Sequence, residues 1–531
     1  MRIVANIRHL QNLGIHNPNR VYWQLNTPQL YEAVISRHEG FMAHLGPLVV
    51  RTGNHTSRAH EDRFIVEEPP FQGDISWGEI NRPISPERFD SIQKRMTAYF
   101  QGIDVFVQDV YARLENDNRL AIRIITETAW HSLFARNSYL YADPEELDTF
   151  HPEYTIIHAP SFRANPKIDH TNSETIILIN LAKRLILIGG TGYGGEIKKA
   201  IFSVINFLLP KRDVLSMECA ANMDAQGNVA LFLGRDGTGK TVLSTDPERI
   251  LIGDSEHGWD QKGIFTIGRG CYPNVYGLTP DDNHELYETT RRFGTILENV
   301  AIDVMNRHLD LQDMRFTDNP HACYPISHIP SATRTGRAGH PKHIILLTRD
   351  AFGVLPPVSK LTYDQARYHF LSGYTSELVS TYDDVLEPRA TFSACYGAPF
   401  MPLHPGEYAH LFSERIKAHQ VNIWLVNTGW TGGSYSNGQR IPLSETRAML
   451  RAILNDELNT VETFTEPFFG LHIPVTCPGV DAKLVKPRET WANPDAYDKM
   501  AQELVNDFDN NFAQYIDTVD PHSLSSRAAS S

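Results

Sequence analysis

The stretch Val229–Ser244 reads VALFLGRDGTGKTVLS: an apolar run, then G-x-x-x-x-G-K-T, then a helical pattern. These residue types at this spacing suit one chemistry, the gripping of a polyphosphate. In a loop so poor in side chains, the backbone N–H groups of Gly234, Asp236, Gly237, Thr238 and Gly239 can turn inward onto phosphate oxygens. Lys240 then reaches the outer phosphates and Thr241 offers a hydroxyl to Mg²⁺. The helix N-terminus that follows adds positive potential. A second apolar run, RILIG, ends in Asp254. A carboxylate delivered by a strand end beside such a loop holds the magnesium ion or its waters.

A second glycine cluster, Gly190-Thr191-Gly192-Tyr193-Gly194-Gly195, satisfies G-x-G-x-x-G. A dinucleotide fold requires in addition a βαβ unit with an acid at a strand end about 20 residues on. Asp213 lies near that distance, but it follows LLPKR rather than a strand pattern. With Tyr193, Lys198 and Lys199 around a helix start, the segment suits a small anion better than a dinucleotide.

The elements that must position these groups follow from periodicity. Thr175–Asn180 (TIILIN) and Arg184–Ile188 (RLILI) read as a buried strand pair, and Glu196–Leu209 as a helix closed by Pro210. From Val229 on, short apolar strands (VALFL, RILIG, HIILLT, NIWLV) each end in a polar loop, the pattern of an α/β nucleotide domain. The expected division is a substrate-side domain over 1–212, a nucleotide domain over 213–515 and a disordered tail over 516–531. A chain of 531 residues with 41% hydrophobic and 21% charged residues is ordinary for a globular protein of that size. A net charge of −14 without a long basic run argues against nucleic-acid or anionic-membrane partners. No apolar stretch reaches signal-peptide or membrane-span length. The five cysteines are dispersed without a C-x-x-C pair, which points to a reducing cytoplasm.

Several long motifs, in order over roughly residues 45 to 510, resemble the ATP-dependent phosphoenolpyruvate carboxykinases. They are GGTGYGGEIKKAIF, LGRDGTGKTVLSTDPERILIGDSEHGWD, FGVLPPVSKLT, YHFLSGYTSEL, TFSACYGAPFMPLHP and VNTGWTGGSYSNGQRIPLSETRA. The resemblance implies an α/β fold of two domains around a cleft, the C-terminal one a P-loop mononucleotide-binding domain. It implies ATP and Mg²⁺, a separate Mn²⁺ near the substrate, and a small carboxylate as that substrate, oxaloacetate in the family. Arg58, in HTSRAHEDRFIV, matches the arginine that holds the substrate carboxylate, Tyr193 the tyrosine facing it, and Lys199 a manganese ligand. Arg440 and Thr446 match residues beside the adenine, with Gly429–Gly433 the turn shaping its pocket.

The sequence departs from the family where the chemistry lies. M-H-C-S-A-N reads Met217-Glu218-Cys219-Ala220-Ala221-Asn222, and D-D-E-H-G-W begins Asp254-Ser255, so two manganese ligands become Glu218 and Ser255. A lysine of the family stands as Asn274, an arginine as His321, and the lid's G-T-E as Ser380-Thr381-Tyr382. The expectation is a degraded manganese site (Lys199, Glu218, Ser255) in which Lys199 stays protonated and pairs with Glu218. One electrostatic stabiliser of a transition state contributes about 3–4 kcal/mol, so losing several should weaken the reaction unless replaced. Arg334 and Arg337 are candidate replacements. Three readings stay open: a phosphotransferase with altered acceptor or reaction, a working carboxykinase, and a non-catalytic ATP binder. The expected assembly is a monomer or small homo-oligomer.

Overall fold

The computed structural model describes residues 8–112, 119–380 and 386–518. It divides into two compact units, Met1–Leu208 with Phe265–Gly336, and Leu209–Ile264 with Arg337–Ser531. The excursion through Phe265–Gly336 has no counterpart in a single boundary near residue 212. Its cause is strand pairing. Ile296–Glu298 lies parallel to Leu48–Val50, and His321–Pro325 and Gly270–Cys271 extend the same five-stranded sheet.

The first unit is built on a nine-stranded mixed sheet. Its path runs Val21–Trp23, Val105–Ala112, Leu120–Thr126, Tyr154–Ala159, Leu185–Gly189, Ile176–Asn180, Arg63–Val66, Arg82–Ile84, with Leu140–Tyr141 pairing on Val105–Ala112. The anticipated pair is there: Ile176–Asn180 and Leu185–Gly189 run antiparallel across a tight turn. Every residue of both is buried, which is why they read as continuous apolar runs rather than alternating ones. The helix Gly195–Leu208 buries 12 of its 14 residues, the polar Glu196, Lys198, Ser203 and Asn206 among them.

The second unit carries an eight-stranded sheet in the order Ile250–Gly253, Cys219–Met223, Val229–Leu233, Pro341–Thr348, Asn422–Asn427, Val358–Leu361, His472–Pro474, Thr463–Thr465. Val229–Leu233, Pro341–Thr348 and Asn422–Asn427 are mutually parallel. Ile250–Gly253 shares their direction, being antiparallel to Cys219–Met223, which is itself antiparallel to Val229–Leu233. Four strands thus end on one edge, where the Gly234 loop, Asp254, Arg349 and Thr428 emerge. That edge is where open α/β sheets place their ligands. Behind it, Phe232, Ile345, Trp424 and Val426 pack against Met449, Leu450 and Ile453 of the helix Leu443–Leu454.

Residues 513–518, at the start of the expected disordered tail, form a turn of 3-10 helix, and 519–531 lie outside the described residues. Thr381 and Tyr382 of the lid motif also lie outside them. No helix among the described residues is long and apolar enough to cross a membrane.

Candidate active site

The loop Gly234–Gly239 follows the Val229–Leu233 strand directly and feeds the helix Lys240–Ser244. Gly237 and Gly239 take φ of +80° and +93°, which side-chain-bearing residues rarely adopt, so the backbone reversal depends on glycine there. Thr238 is fully buried, and its hydroxyl donates to the Arg235 carbonyl at 2.7 Å. The Thr428 hydroxyl donates to the Thr238 carbonyl at 3.0 Å, pinning the loop to the next strand end. The expected helix follows, but it has only five residues, so its dipole is much weaker than that of a long helix. Lys240 and the loop amides carry the positive potential instead.

Thr241 Oγ1 donates to Asp254 Oδ1 at 2.8 Å, which brings the two predicted magnesium groups together. Asp254 is 4% exposed, a carboxylate held at a strand end with its hydroxyl partner already aligned. This donor pair suits a hydrated divalent cation, which prefers oxygen ligands and keeps part of its water shell.

Glu218 lies beside the lysine of the phosphate loop. Its Oε1 lies 4.0 Å from Lys240 Nζ, and both side chains are about nine-tenths buried. Lys240 Nζ also donates to the Gly234 carbonyl. Lys199 belongs to the first unit, where its ammonium lies 5.3 Å from the Phe202 ring centroid. Ser255 follows Asp254 in the second unit. Among the described residues no group of three His, Cys, Asp or Glu is arranged to hold a metal.

Three arginines surround the phosphate loop, and two of them were not anticipated. Arg349 leaves the end of the Pro341–Thr348 strand, and its Nη1 lies 2.7 Å from where a Cβ on Gly237 would sit. Its Nη2 donates to the Ser376 carbonyl at 3.1 Å. Arg235 donates to Thr391 Oγ1 at 2.8 Å and pairs with Glu377 at 3.3 Å. Arg440 donates through Nε to the Thr428 carbonyl at 3.3 Å and lies over Trp430. Burial pulls the proton affinity of Arg349 and Arg440 down, and for Arg349 the like charges of Arg440 and Arg235 add to the effect. Thr446 is buried and donates to the Pro442 carbonyl in the first turn of its helix. Of the candidate replacements, Arg337 forks onto Asp260 at 2.8 and 3.1 Å, and Arg334 is exposed. The available signal for Arg349 was its place immediately after HIILLT, the strand run next to VALFL.

In the first unit, the Gly190–Gly195 loop is held from beneath. His131 Nε2 donates to the Gly192 carbonyl at 2.9 Å and His158 Nε2 to the Thr191 carbonyl at 3.0 Å. Burial lowers both imidazoles, His158 to about 4, so they stay neutral and act as fixed donors. Tyr193 is 4% exposed, its ring edge-on to His321 at 6.0 Å. Tyr272 stacks on His321 at 4.5 Å and donates its hydroxyl to Glu298 Oε2 at 3.0 Å. Glu298 is fully buried, and burial pushes its carboxyl up to about 8.

The Arg58 segment is bracketed from two sides. Glu196 Oε1 accepts the Ala59 N–H at 2.7 Å, and Asn319 Nδ2 donates to the Thr56 carbonyl at 3.0 Å. Asn274 in turn donates to Asn319 Oδ1 at 3.2 Å. Asn274 and His321, which replace basic residues of the family, therefore sit in the framework around Arg58. Lys198 is buried at 2% exposure in the helix that begins at Gly195.

A P-loop at the strand-end edge of a mixed sheet, with a second α/β unit in the same chain, defines an α/β protein of the mononucleotide-binding P-loop class. Comparison with known proteins narrows the class. A family model described as phosphoenolpyruvate carboxykinase matches residues 19–483. The chain is 52% identical over 512 residues to the phosphoenolpyruvate carboxykinase (ATP) of Geobacter sp. (strain M21), covering 96% of this chain and 97% of that protein. It is 47% identical over 513 residues to the protein of the same name from Thermus thermophilus, again covering 96% and 97%. The chain belongs to the ATP-dependent phosphoenolpyruvate carboxykinase family.

Proposed function

We propose that this protein is a working ATP-dependent phosphoenolpyruvate carboxykinase, converting oxaloacetate and ATP to phosphoenolpyruvate, CO₂ and ADP. Of the three readings, this one is supported by near full-length similarity to relatives that carry that name. The observation that carries it is the pairing of Thr241 with Asp254 beside an intact Gly234–Lys240 loop, since a pure binder has no need of a preserved cation cradle. No observation favours an altered acceptor.

In this reading the second unit is the nucleotide domain and the first supplies the substrate grip. Arg58 holds a substrate carboxylate, with its backbone fixed by Glu196 and Asn319, and Tyr193 faces the substrate from the rigid Gly190–Gly195 loop. Loss of the terminal carboxyl of oxaloacetate as CO₂ leaves its electron pair on the enolate. The enolate oxygen forms a bond to the γ-phosphorus as the bond to ADP breaks. The loop amides and Lys240 hold the phosphates through this transfer, and electrostatic positioning does most of the catalytic work. Arg440 and Thr446 flank the adenine. A magnesium ion, held by Thr241 and Asp254, would offset phosphate charge.

The test is direct. The full chain, incubated with ATP, Mg²⁺, Mn²⁺ and oxaloacetate, is expected to release phosphoenolpyruvate and ADP in equal amounts. Lys240→Ala should lower that rate by about 100-fold or more. Tight ATP binding with no phosphoenolpyruvate formed would hand the argument to the non-catalytic reading.

A further inference from the structure

The phosphate loop is flanked by more positive charge than its own motif accounts for. Arg235, Arg349 and Arg440 converge on it, and Glu377, the acid that opposes this cluster, is shared between Arg235 at 3.3 Å and Arg389 at 3.6 Å. Holding like charges together in a partly desolvated edge is unfavourable unless an anion offsets them. Arg349 is the best placed of the three. The parallel register sets its strand end beside that of Val229–Leu233, with Leu346 opposite Leu233. Its guanidinium packs against Gly237, the first positive-φ residue of the loop, with a hydrogen bond to the Ser376 carbonyl holding one end. Its buried Nε has no hydrogen-bond partner among the described residues. A side chain here at Gly237 would strike the guanidinium, so loop and arginine are shaped to each other.

We propose that Arg349 is a further phosphate-binding residue, donating from its guanidinium to the β- and γ-phosphate oxygens of the nucleotide cradled by Gly234–Thr241. The inference rests on the reading of that loop as the nucleotide site. Arginine suits the role because its planar fork meets two phosphate oxygens at once, which lysine cannot do.

Calorimetric titration of the full chain with ATP, ADP and AMP in the presence of Mg²⁺ tests this. Arg349→Gln is expected to weaken ATP and ADP binding by about 10- to 100-fold, the range for charge-assisted hydrogen bonds, and to leave AMP within about 2-fold. The salt dependence of ATP binding should flatten in the same variant. Arg389→Gln, which removes the same charge from the other side of Glu377, should change ATP affinity by less than about 2-fold. If Arg349→Gln loses its cooperative thermal transition, Arg349→Lys serves instead and should lose ATP affinity while AMP affinity holds. Equal losses for AMP and ATP would make Arg349 a shaper of the loop, and unchanged ATP affinity would give it no role; either result overturns the proposal. A wild-type chain that binds no ATP, or a Lys240→Ala chain that binds it normally, overturns the loop reading itself.

Discussion

The two glycine-rich loops look alike as strings, yet Gly194 in the first and Gly239 in the second need glycine for different reasons. In Gly190–Gly195 the need is mostly space. A Cβ at Gly192 would meet the Thr52 carbonyl oxygen at 2.9 Å, at Gly194 Glu298 Oε1 at 2.7 Å and Phe134 Cδ2 at 2.8 Å, and at Gly195 Tyr193 Cε1 at 2.5 Å. In Gly234–Gly239 the need at Gly239 is dihedral. A Cβ there would meet nothing closer than Leu243 Cδ1 at 3.4 Å, but φ is +93°. In the second loop Gly234 and Gly237 are close-packed as well, so Gly239 is the one of its three glycines with room for a Cβ. A glycine pattern alone does not distinguish these cases, and G-x-G-x-x-G in the first unit is accordingly no dinucleotide fingerprint.

The sharpest way to break the comparison is to add one methyl group to each loop. Gly194→Ala should destabilise the whole protein by about 1–3 kcal/mol, through overpacking against Phe134 and Glu298. Gly239→Ala should also destabilise, by about 1–2 kcal/mol, because alanine is strained at a φ of +93°, but it alone should cut ATP affinity; thermal denaturation and titration together check the pair. A loss of ATP affinity from Gly194→Ala equal to that from Gly239→Ala would erase the distinction.

A smaller effect separates the charge beneath each loop. Glu298, under the first, has a folded-state pKa of about 8 against an ordinary value of 4.5, because burial disfavours its charge. The folded protein therefore binds this proton more tightly than the unfolded chain does. The stabilisation is fully present below the unfolded pKa and is lost as pH rises through about 8. Glu298→Gln should flatten the fall in melting temperature between about pH 5 and 8, by a few degrees in total. A parallel, unflattened curve would assign that pH dependence elsewhere.

The smallest expected change concerns the carboxylate at the second loop. Glu218 Oε1 lies 4.0 Å from Lys240 Nζ, so in the proposed nucleotide site it would compete with phosphate for that lysine. Glu218→Gln should tighten metal-free ADP binding by about 5-fold, near 1 kcal/mol. Weaker binding would mean that Glu218 organises Lys240 rather than restraining it.

What was legible in the sequence was local. VALFLGRDGTGKT announces a strand, a loop and a lysine within one contiguous stretch, and TIILIN with RLILI announces a hairpin, because neighbours in sequence make those structures. What was not legible depends on strand order. Arg349 reaches Gly237 only because Pro341–Thr348 pairs in parallel with Val229–Leu233. Glu218 meets Lys240 only because Cys219–Met223 lies antiparallel to Val229–Leu233. The first register has no sequence signature; the second is a hairpin closed over Asp224–Asn228, whose Gly227 turn is a signal the strand reading passed over. The helix after the phosphate loop was anticipated in kind but not in length, since nothing in KTVLS marks where the chain turns away.

The excursion through Phe265–Gly336 bears on how a ribosome must make this protein. Leu48–Val50 emerges early but finds its parallel neighbour, Ile296–Glu298, only after most of the phosphate-loop region has been synthesised. At roughly 5–20 residues per second the wait lasts on the order of tens of seconds. For that interval the nascent N-terminal half carries an unfinished sheet edge, and a polypeptide released after residue 212 would keep it permanently.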